Sequence, residues 1–367
     1  MRKELAYSFI VLYLLASTLL TGCGFKDVDK RYFVVGMGID KTDNEEKPYR
    51  VTLKLGVPSI QIDVGKSKTQ VETIETASIA EGVRMLKSHV DKEIDFGHCK
   101  VILFGDSFAR ENIREAVEWM SRRRDIQNIA AIAVGSPNAE DVIKVQPGIE
   151  RFPGNSLNLF FSEDATESSY TFIESLSDLT RRLNEKGLDP FLPVVTMQQE
   201  DKTYVINQVA LLDKEKVVTI LNPDETQLLR QLAEHISLPK QFGSYRSDPY
   251  VALINSIKTK YKIIKTDSAI KVDMNIKQAI TFEEIPLNSY FEHPNQSVEQ
   301  LEQAYSEDAK KLLQKIQAAG VDPFGFGLRY RVKYHLPNFD QEWPLLYKSM
   351  EFDVKTKIEV RGTGLTR

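Results

Sequence analysis

Apolar positions along this chain form first one unbroken run, then a mixture of periods, then a clean alternation. The run spans Leu5 to Leu20, follows Arg2 and Lys3, and is diluted by Tyr7, Ser8, Tyr13, Ser17 and Thr18. It is shorter than the roughly twenty residues a membrane-spanning helix needs, and small residues follow it, which predicts a signal segment. Gly24 to Lys30 is a short polar linker. Tyr32 to Asp40 then reads as a buried strand. Tyr49 to Val57 reads as a second, because Val51, Leu53, Leu55 and Val57 alternate with polar residues. The charged connection Lys41 to Pro48 makes this pair a hairpin. Residues 59–76 are polar with scattered β-branched positions and predict no definite element.

From Ala77 the period lengthens. Ile79, Val83, Leu86 and Val90 share one helical face, and Val101 to Phe104 is a continuous apolar strand. Phe108, Ile113, Val117 and Met120 stripe a helix that closes on Arg122, Arg123 and Arg124. Ile129 to Val134 is another apolar strand, and Pro137 to Val145 a short helix. This succession predicts a sheet covered by helices, its two buried strands parallel. A long amphipathic helix over Ser168 to Lys186 stops at Gly187, where a glycine end-cap is expected. Asp189 to Pro193 marks a boundary. Beyond it, Val205 to Leu212 and Val217 to Leu221 form a hairpin turning at Lys214-Glu215, and Pro223 to Glu234 a helix. This stretch, about 200–245, belongs to the second domain or makes a small middle one.

After residue 250 the two-residue period dominates. Ile257 to Ile263, Ile270 to Ile280, Leu328 to Leu336 and Met350 to Val360 each alternate apolar with charged or polar side chains. Such strands predict an antiparallel sheet with one buried side. Helix Ser297 to Ala319 offers Val298, Leu301, Tyr305, Leu312 and Ile316 to cover it. Ser297 is the expected N-cap, with Gln300 three residues on, and Gly320 the expected stop. The fold class is therefore α+β with α/β character, in several domains. Residues 23–198 make a mixed sheet with covering helices. Residues 199–367 make an antiparallel sheet of about four long strands packed on one long helix.

The end of the apolar run changes the picture. Leu20-Thr21-Gly22-Cys23 places a small residue before a cysteine, after an aliphatic one. This predicts a lipoprotein signal over 1–22 and acylation of Cys23. Two acyl chains anchor stably where one is marginal, so the rest of the chain works outside the cytoplasmic membrane. With Cys23 acylated, Cys99 is the one cysteine left and no structural disulfide is expected. Hydrophobic residues at 42% and charged residues at 27% describe a folded chain rather than a disordered one. The net charge of −4 opposes general nucleic-acid binding.

Candidate chemistry is sparse. Gly36-Met37-Gly38 follows a strand but lacks the third glycine and the following helix of a dinucleotide turn. It predicts tight packing or a bulge instead. His98-Cys99, with His89 nearby, falls short of the converging ligands a zinc site needs, and Cys99 reads as a small buried hydrophobe. Arg122 to Arg124 reads as a solvated helix end, where cations are favourable. No nucleophile elbow, phosphate loop or paired metal-histidine motif occurs, so no enzyme, cofactor or metal is expected.

Asp322-Pro323-Phe324-Gly325-Phe326-Gly327 lies between the long helix and the Leu328 segment, and Pro and Gly there suit a turn. With this motif, Cys23, Val34 to Asp40, His98 to Gly105, Trp343 and the closing strand to Gly362, the chain resembles the Ger(x)C family of spore-germination lipoproteins over nearly its whole length. It departs at Gly24-Phe25, where such proteins commonly carry Trp-Asp, and at Asn207 to Leu212. The resemblance implies a non-enzymatic C subunit of a nutrient-germinant receptor. Such a subunit sits on the outer face of the spore's inner membrane, beside integral-membrane A and B subunits, with nutrient binding placed in B. The rival expectation is a solute-binding lipoprotein of a transporter. That would show two doubly wound lobes, which the alternating strands after residue 250 disfavour.

Overall fold

The structure is a computed structural model. It describes residues 30–57, 69–147, 156–161, 168–198, 203–233, 243–247, 250–266, 269–285 and 293–362, with Glu4, Tyr7, Ile10, Tyr13 and Asp27. Cys23 lies outside the described residues.

The hairpin read from alternation forms as β1 (Arg31–Lys41) and β2 (Tyr49–Gly56), and β3 (Thr69–Thr76) extends it antiparallel. β3 is an edge strand of half-buried residues, so its sequence carries no apolar face. Helix α1 (Ile79–Leu86) starts where Ser78 Oγ accepts from Glu81 N, and it stops before Val90. There follow β4 (Glu93–Asp95), β5 (Val101–Gly105), α2 (Asp106–Ala109), α3 (Arg114–Ser121), β6 (Ala131–Gly135), α4 (Ala139–Lys144), α5 (Ser156–Phe160) and α6 (Leu176–Asn184). Next come β7 (Phe191–Gln198), β8 (Thr203–Leu212), β9 (Val217–Leu221) and α7 (Pro223–Leu232). These strands make one sheet in the order β3-β2-β1-β5-β6-β7-β8-β9, with β4 beside β1. The centre is parallel, as continuous apolar strands predict: β1 with β5, β5 with β6, β6 with β7. Ile102 and Phe104 pack toward α1, α3 and α6, while Val101 and Leu103 pack toward α4 and α5. That two-sided burial is why β5 reads as an unbroken apolar run.

Two N-terminal expectations change. The helix drawn over Ser168–Lys186 is confined to α6. Ser175 Oγ accepts from Asp178 N, while Ile132 N donates to Glu174 O and Leu176 N to Ala130 O, so residues before Ser175 lie extended along β6. The hairpin at 205–221 is not separate from the first sheet. It hydrogen-bonds to β7 and forms that sheet's last two strands. Ala210 and Leu212 face the first core, and Val209, Leu211 and Leu221 face the second, so the hairpin is a shared wall.

The second sheet has β10 (Ser244–Ser247), β11 (Tyr250–Lys265), β12 (Ile270–Glu284) and β13 (Glu351–Gly362) in sequence order. Between β12 and β13 run α8 (Pro294–Ala318), α9 (Phe326–Tyr334) and α10 (Phe339–Lys348). Leu301, Tyr305, Ala309, Leu312, Leu313 and Ile316 of α8 share a core with Val272, Met274, Ile276 and Ile280 of β12. Burying each such aliphatic side chain contributes about 1.5–3 kcal/mol. The predicted layer of one long helix on a four-stranded sheet is present.

Three details differ. Leu328–Leu336, expected as the fourth strand, is helical through Tyr334 as part of α9, because Asp322 and Gly325 build a helix start directly before it. Ser244–Ser247 supplies the fourth strand instead. β13 lies parallel to β12, not antiparallel, as the long helical connection permits. Ser297 is buried within α8, its Oγ bonded to Tyr250 Oη at 3.0 Å, and Pro294 opens the helix. Gly320, at φ 75°, follows the helix end as expected.

Candidate functional site

The Asp322–Gly327 motif is a junction rather than a plain turn. Asp322 is buried. Its Oδ1 accepts from Phe326 N at 3.0 Å and its Oδ2 from Gly327 N at 2.7 Å. A carboxylate at a helix start satisfies donors that the helix itself leaves unpaired. Gly325 holds φ at 72°, the left-handed region, so that the chain can turn back under the carboxylate. Phe326 then enters the second core, edge-on to Tyr261 at 5.0 Å and tilted against Phe352 at 5.9 Å.

The other half of the junction is the turn between α6 and β7. Asp322 N donates to Asp189 Oδ2 at 2.7 Å, and Asp189 N donates to Asp322 O at 2.8 Å. Leu328 N donates to Gly187 O at 2.9 Å. Gly187 has φ 76°, and a Cβ there would sit 2.5 Å from Gly327 C. A Cβ at Gly327 would meet Trp343 Cε2 at 2.6 Å. Both glycines are therefore demanded by backbone-to-backbone and backbone-to-indole contact.

Two cations complete it. Arg182, buried over the Phe191 ring, donates Nη1 to the carbonyls of Asp189 and Pro323, each at 3.2 Å. Its Nε lies 3.2 Å from Glu174 Oε1 as an ion pair without hydrogen-bond alignment. Lys214 Nζ donates to the carbonyls of Arg182, Glu185 and Leu188 and pairs with Asp189 Oδ1 at 3.0 Å. A lysine at a helix C-terminus meets exposed carbonyls in this way. Burial pushes the Asp322 carboxyl up to about 7 against the opposing pull of the Gly327 and Phe326 N–H groups. Burial also pushes Glu174 up to about 8 despite Arg182. Chemically, this arrangement clamps one sheet unit to the other. Both carboxylate oxygens of Asp322 are already bonded to backbone donors and screened from solvent.

The other sequence candidates do not join it. Cys99 is buried, its Sγ donates to Val101 O at 3.8 Å, and burial pushes its thiol up to about 12. His98 stands edge-on to Phe33 at 4.7 Å. Among the described residues no group of three or more His, Cys, Asp or Glu is placed to hold a metal. Gly36 and Gly38 admit α4 against β1, for added Cβ atoms would meet Ile143 at 3.2 Å and Ala139 at 3.1 Å. The strand also carries a register shift between Val34 and Gly36. Asp40, at the end of that segment, accepts from Ala139 N at 2.6 Å and Glu140 N at 2.8 Å. Arg123 lies over the Phe96 and Trp119 rings, and Arg122 is 3.8 Å from Glu118.

Sequence reasoning missed Arg182 and Lys214, whose hydrogen bonds go to carbonyl groups invisible to residue pattern and whose ion-pair partners, Glu174 and Asp189, are set by the fold. It also missed a cleft of about 770 Å³ lined by Tyr170, Gln227, Tyr245, Asp308 and Lys315. Nothing in the residue pattern signals this cleft, because it is lined by residues from distant stretches of the chain.

Two family profiles match the chain. "Spore germination protein N-terminal domain" covers residues 24–197, and "Spore germination B3/ GerAC like, C-terminal" covers residues 207–364. The chain therefore belongs to the GerAC-like, or Ger(x)C, family of spore-germination proteins, the C type of germinant receptor subunit. It is 24% identical over 386 residues to YfkR of Bacillus subtilis (strain 168), a chain named for spore germination, covering 97% of this chain and 96% of that one. It is 22% identical over 379 residues to spore germination protein B3 of the same organism, covering 99% of each. A crystal structure of the GerBC protein shares its fold, with a TM-score of 0.51 at 15% identity, over 89% of this chain and 97% of that one.

Proposed function

We propose that this chain is the lipid-tethered C subunit of a spore nutrient-germinant receptor, acylated at Cys23 and docked against integral-membrane A and B subunits on the extracytoplasmic face. The observation that carries this reading is the pairing of a family match over both halves of the chain with the Leu20-Thr21-Gly22-Cys23 sequence at its head. Tethering confines the folded body near its membrane partners, so weak contacts suffice at the raised local concentration. The clamped junction at Asp322 suits a body that presents its two units in fixed relation. We read the chain as a receptor component without catalysis. The one perturbed carboxylate in the family motif is spent on helix capping.

The reading is tested by the mass of the N-terminal peptide after purification from spore membranes, together with fractionation of a Cys23→Ala variant. A diacylglyceryl-modified Cys23, and loss of the variant from the membrane fraction, is the expected result. An unmodified thiol in a membrane-bound chain would overturn the tether.

A further inference from the structure

One face of the second sheet carries charge that the fold does not require. Thr259, Ile276 and Thr356 point toward the helices, since Thr259 Oγ1 meets Gln231 O of α7 and Thr356 Oγ1 meets Ser306 Oγ of α8. The alternate positions on the same strands face away. They include Lys258, Lys260 and Lys262 of β11, Lys271 and Lys277 of β12, and Lys355 and Lys357 of β13, set among the carboxylates Asp273, Glu351, Asp353 and Glu359. Pairing places Lys258 opposite Lys277, and Lys277 opposite Lys357, so three lysines stand in one row across three strands. Lys260 and Lys355 flank Asn275 in the next row. Like charges directly opposite each other destabilise a sheet. Lys271 and Lys355 are relieved by Asp353, at 2.9 and 3.5 Å, and Lys357 by Glu302 at 2.9 Å. Lys258, Lys260, Lys262 and Lys277 are exposed and have no ion-pair partner among the described residues.

We propose that this lysine-bearing face lies against an anionic lipid surface, with the Lys258–Lys277–Lys357 row directed at the phospholipid headgroups. The cost of the row makes sense when an external negative surface offsets the repulsion. In a chain of net charge −4, this open sheet face carries seven lysines against the four carboxylates Asp273, Glu351, Asp353 and Glu359. The cations of the paired rows are lysines, compact point charges that suit a diffuse headgroup field, whereas recognition of discrete carboxylates favours the bidentate fork of arginine. The proposal rests on the tether of the preceding subsection for its geometry. Residues 24–30 reach at most about 25 Å, which keeps the folded body close to the bilayer. Ile264, opposite Lys271, is the one large apolar side chain exposed on this face among the described residues, so the contact is chiefly electrostatic and is screened by salt.

The test uses the full acylated chain in two kinds of vesicle, phosphatidylcholine alone and phosphatidylcholine with about one-third phosphatidylglycerol as the anionic lipid. Amine acetylation is followed lysine by lysine by mass spectrometry. Lys258, Lys260 and Lys277 are expected to react several-fold more slowly on the anionic vesicles at low salt, with protection lost at high salt, while Lys310 on α8 reacts equally on both. In sedimentation with the anionic vesicles, combining Lys258→Gln, Lys260→Gln and Lys277→Gln in a Cys23→Ser chain is expected to weaken binding on the order of 100-fold relative to Cys23→Ser alone. The melting temperature should be unchanged or higher. Equal acetylation on both vesicles would overturn the proposal. So would protection that appears only when integral-membrane partners are added, which would make the face a protein dock. A failure of the tether alone is separable: the acylated chain would leave phosphatidylcholine vesicles, while the Cys23→Ser chain would still bind the anionic ones.

Discussion

Asp189 and Asp322, 133 residues apart, hold each other by two hydrogen bonds, one from each backbone N–H: Asp322 N to Asp189 Oδ2 and Asp189 N to Asp322 O. This exchange joins the turn entering β7 to the turn leaving α8. Arg182 and Lys214 close around it through carbonyl groups. The family motif is thus explained by what it joins, and its energetics give direct predictions.

The first concerns pH. Asp322 keeps its proton up to about 7 when folded, above the ordinary carboxylate value of 3.8. The folded state therefore binds more protons between those values, and this group's contribution to stability is full below about 4 and lost as pH rises through about 7. Glu174, raised to about 8 by burial, adds a slope of the same sign. In Asp322→Asn, denaturant unfolding should show lower stability at pH 5 and a flatter decline from pH 5 to 7.5 than wild type. Parallel declines would refute the assignment.

Two glycines with nearly equal φ make a matched comparison. Gly320→Ala, at φ 75° with nothing within 4 Å of the new Cβ, should cost about 1–2 kcal/mol of left-handed strain. Gly187→Ala, at φ 76°, adds a collision 2.5 Å from Gly327 C and should cost clearly more. Urea midpoints of the two variants decide it.

A further pair separates helix from strand over residues 328–336. Ile316→Ala, at a fully buried position of α8, should cost about 2–5 kcal/mol. Val332→Ala should change stability by less than about 0.5 kcal/mol, because Val332 is 81% exposed on α9. A large loss at Val332 would restore the strand assignment.

Cys99 should resist thiol reagents in the folded protein at pH 8 and react fully in denaturant. It is buried, and its thiol is pushed up to about 12, so little thiolate is present. Rapid labelling without denaturant would show that the turn before β5 opens locally.

These tests fall where sequence and structure part company. β5 and β6 were legible because burial on both faces leaves only apolar residues, and α8 because Leu301, Tyr305, Leu312 and Ile316 repeat at helical spacing. Residues 328–336 were not, for Leu328, Tyr330, Val332 and Tyr334 alternate like a strand although only Tyr330 among them is fully buried. The deciding feature was a cap made by Asp322, itself fixed by Asp189 from the other unit. β3 was silent because an edge strand needs no apolar face. The lysines of β11 to β13 were visible singly, but the row they form depends on strand register, which only pairing reveals.

The central claim is a tethered receptor subunit, and germination itself tests it most directly. Dipicolinate release after nutrient addition should be measured in spores whose only copy of this chain is Cys23→Ala, with the wild-type chain alongside. The account predicts a marked fall in release, with the variant chain present but absent from the membrane fraction. Undiminished release from a variant lost from the membrane would contradict it.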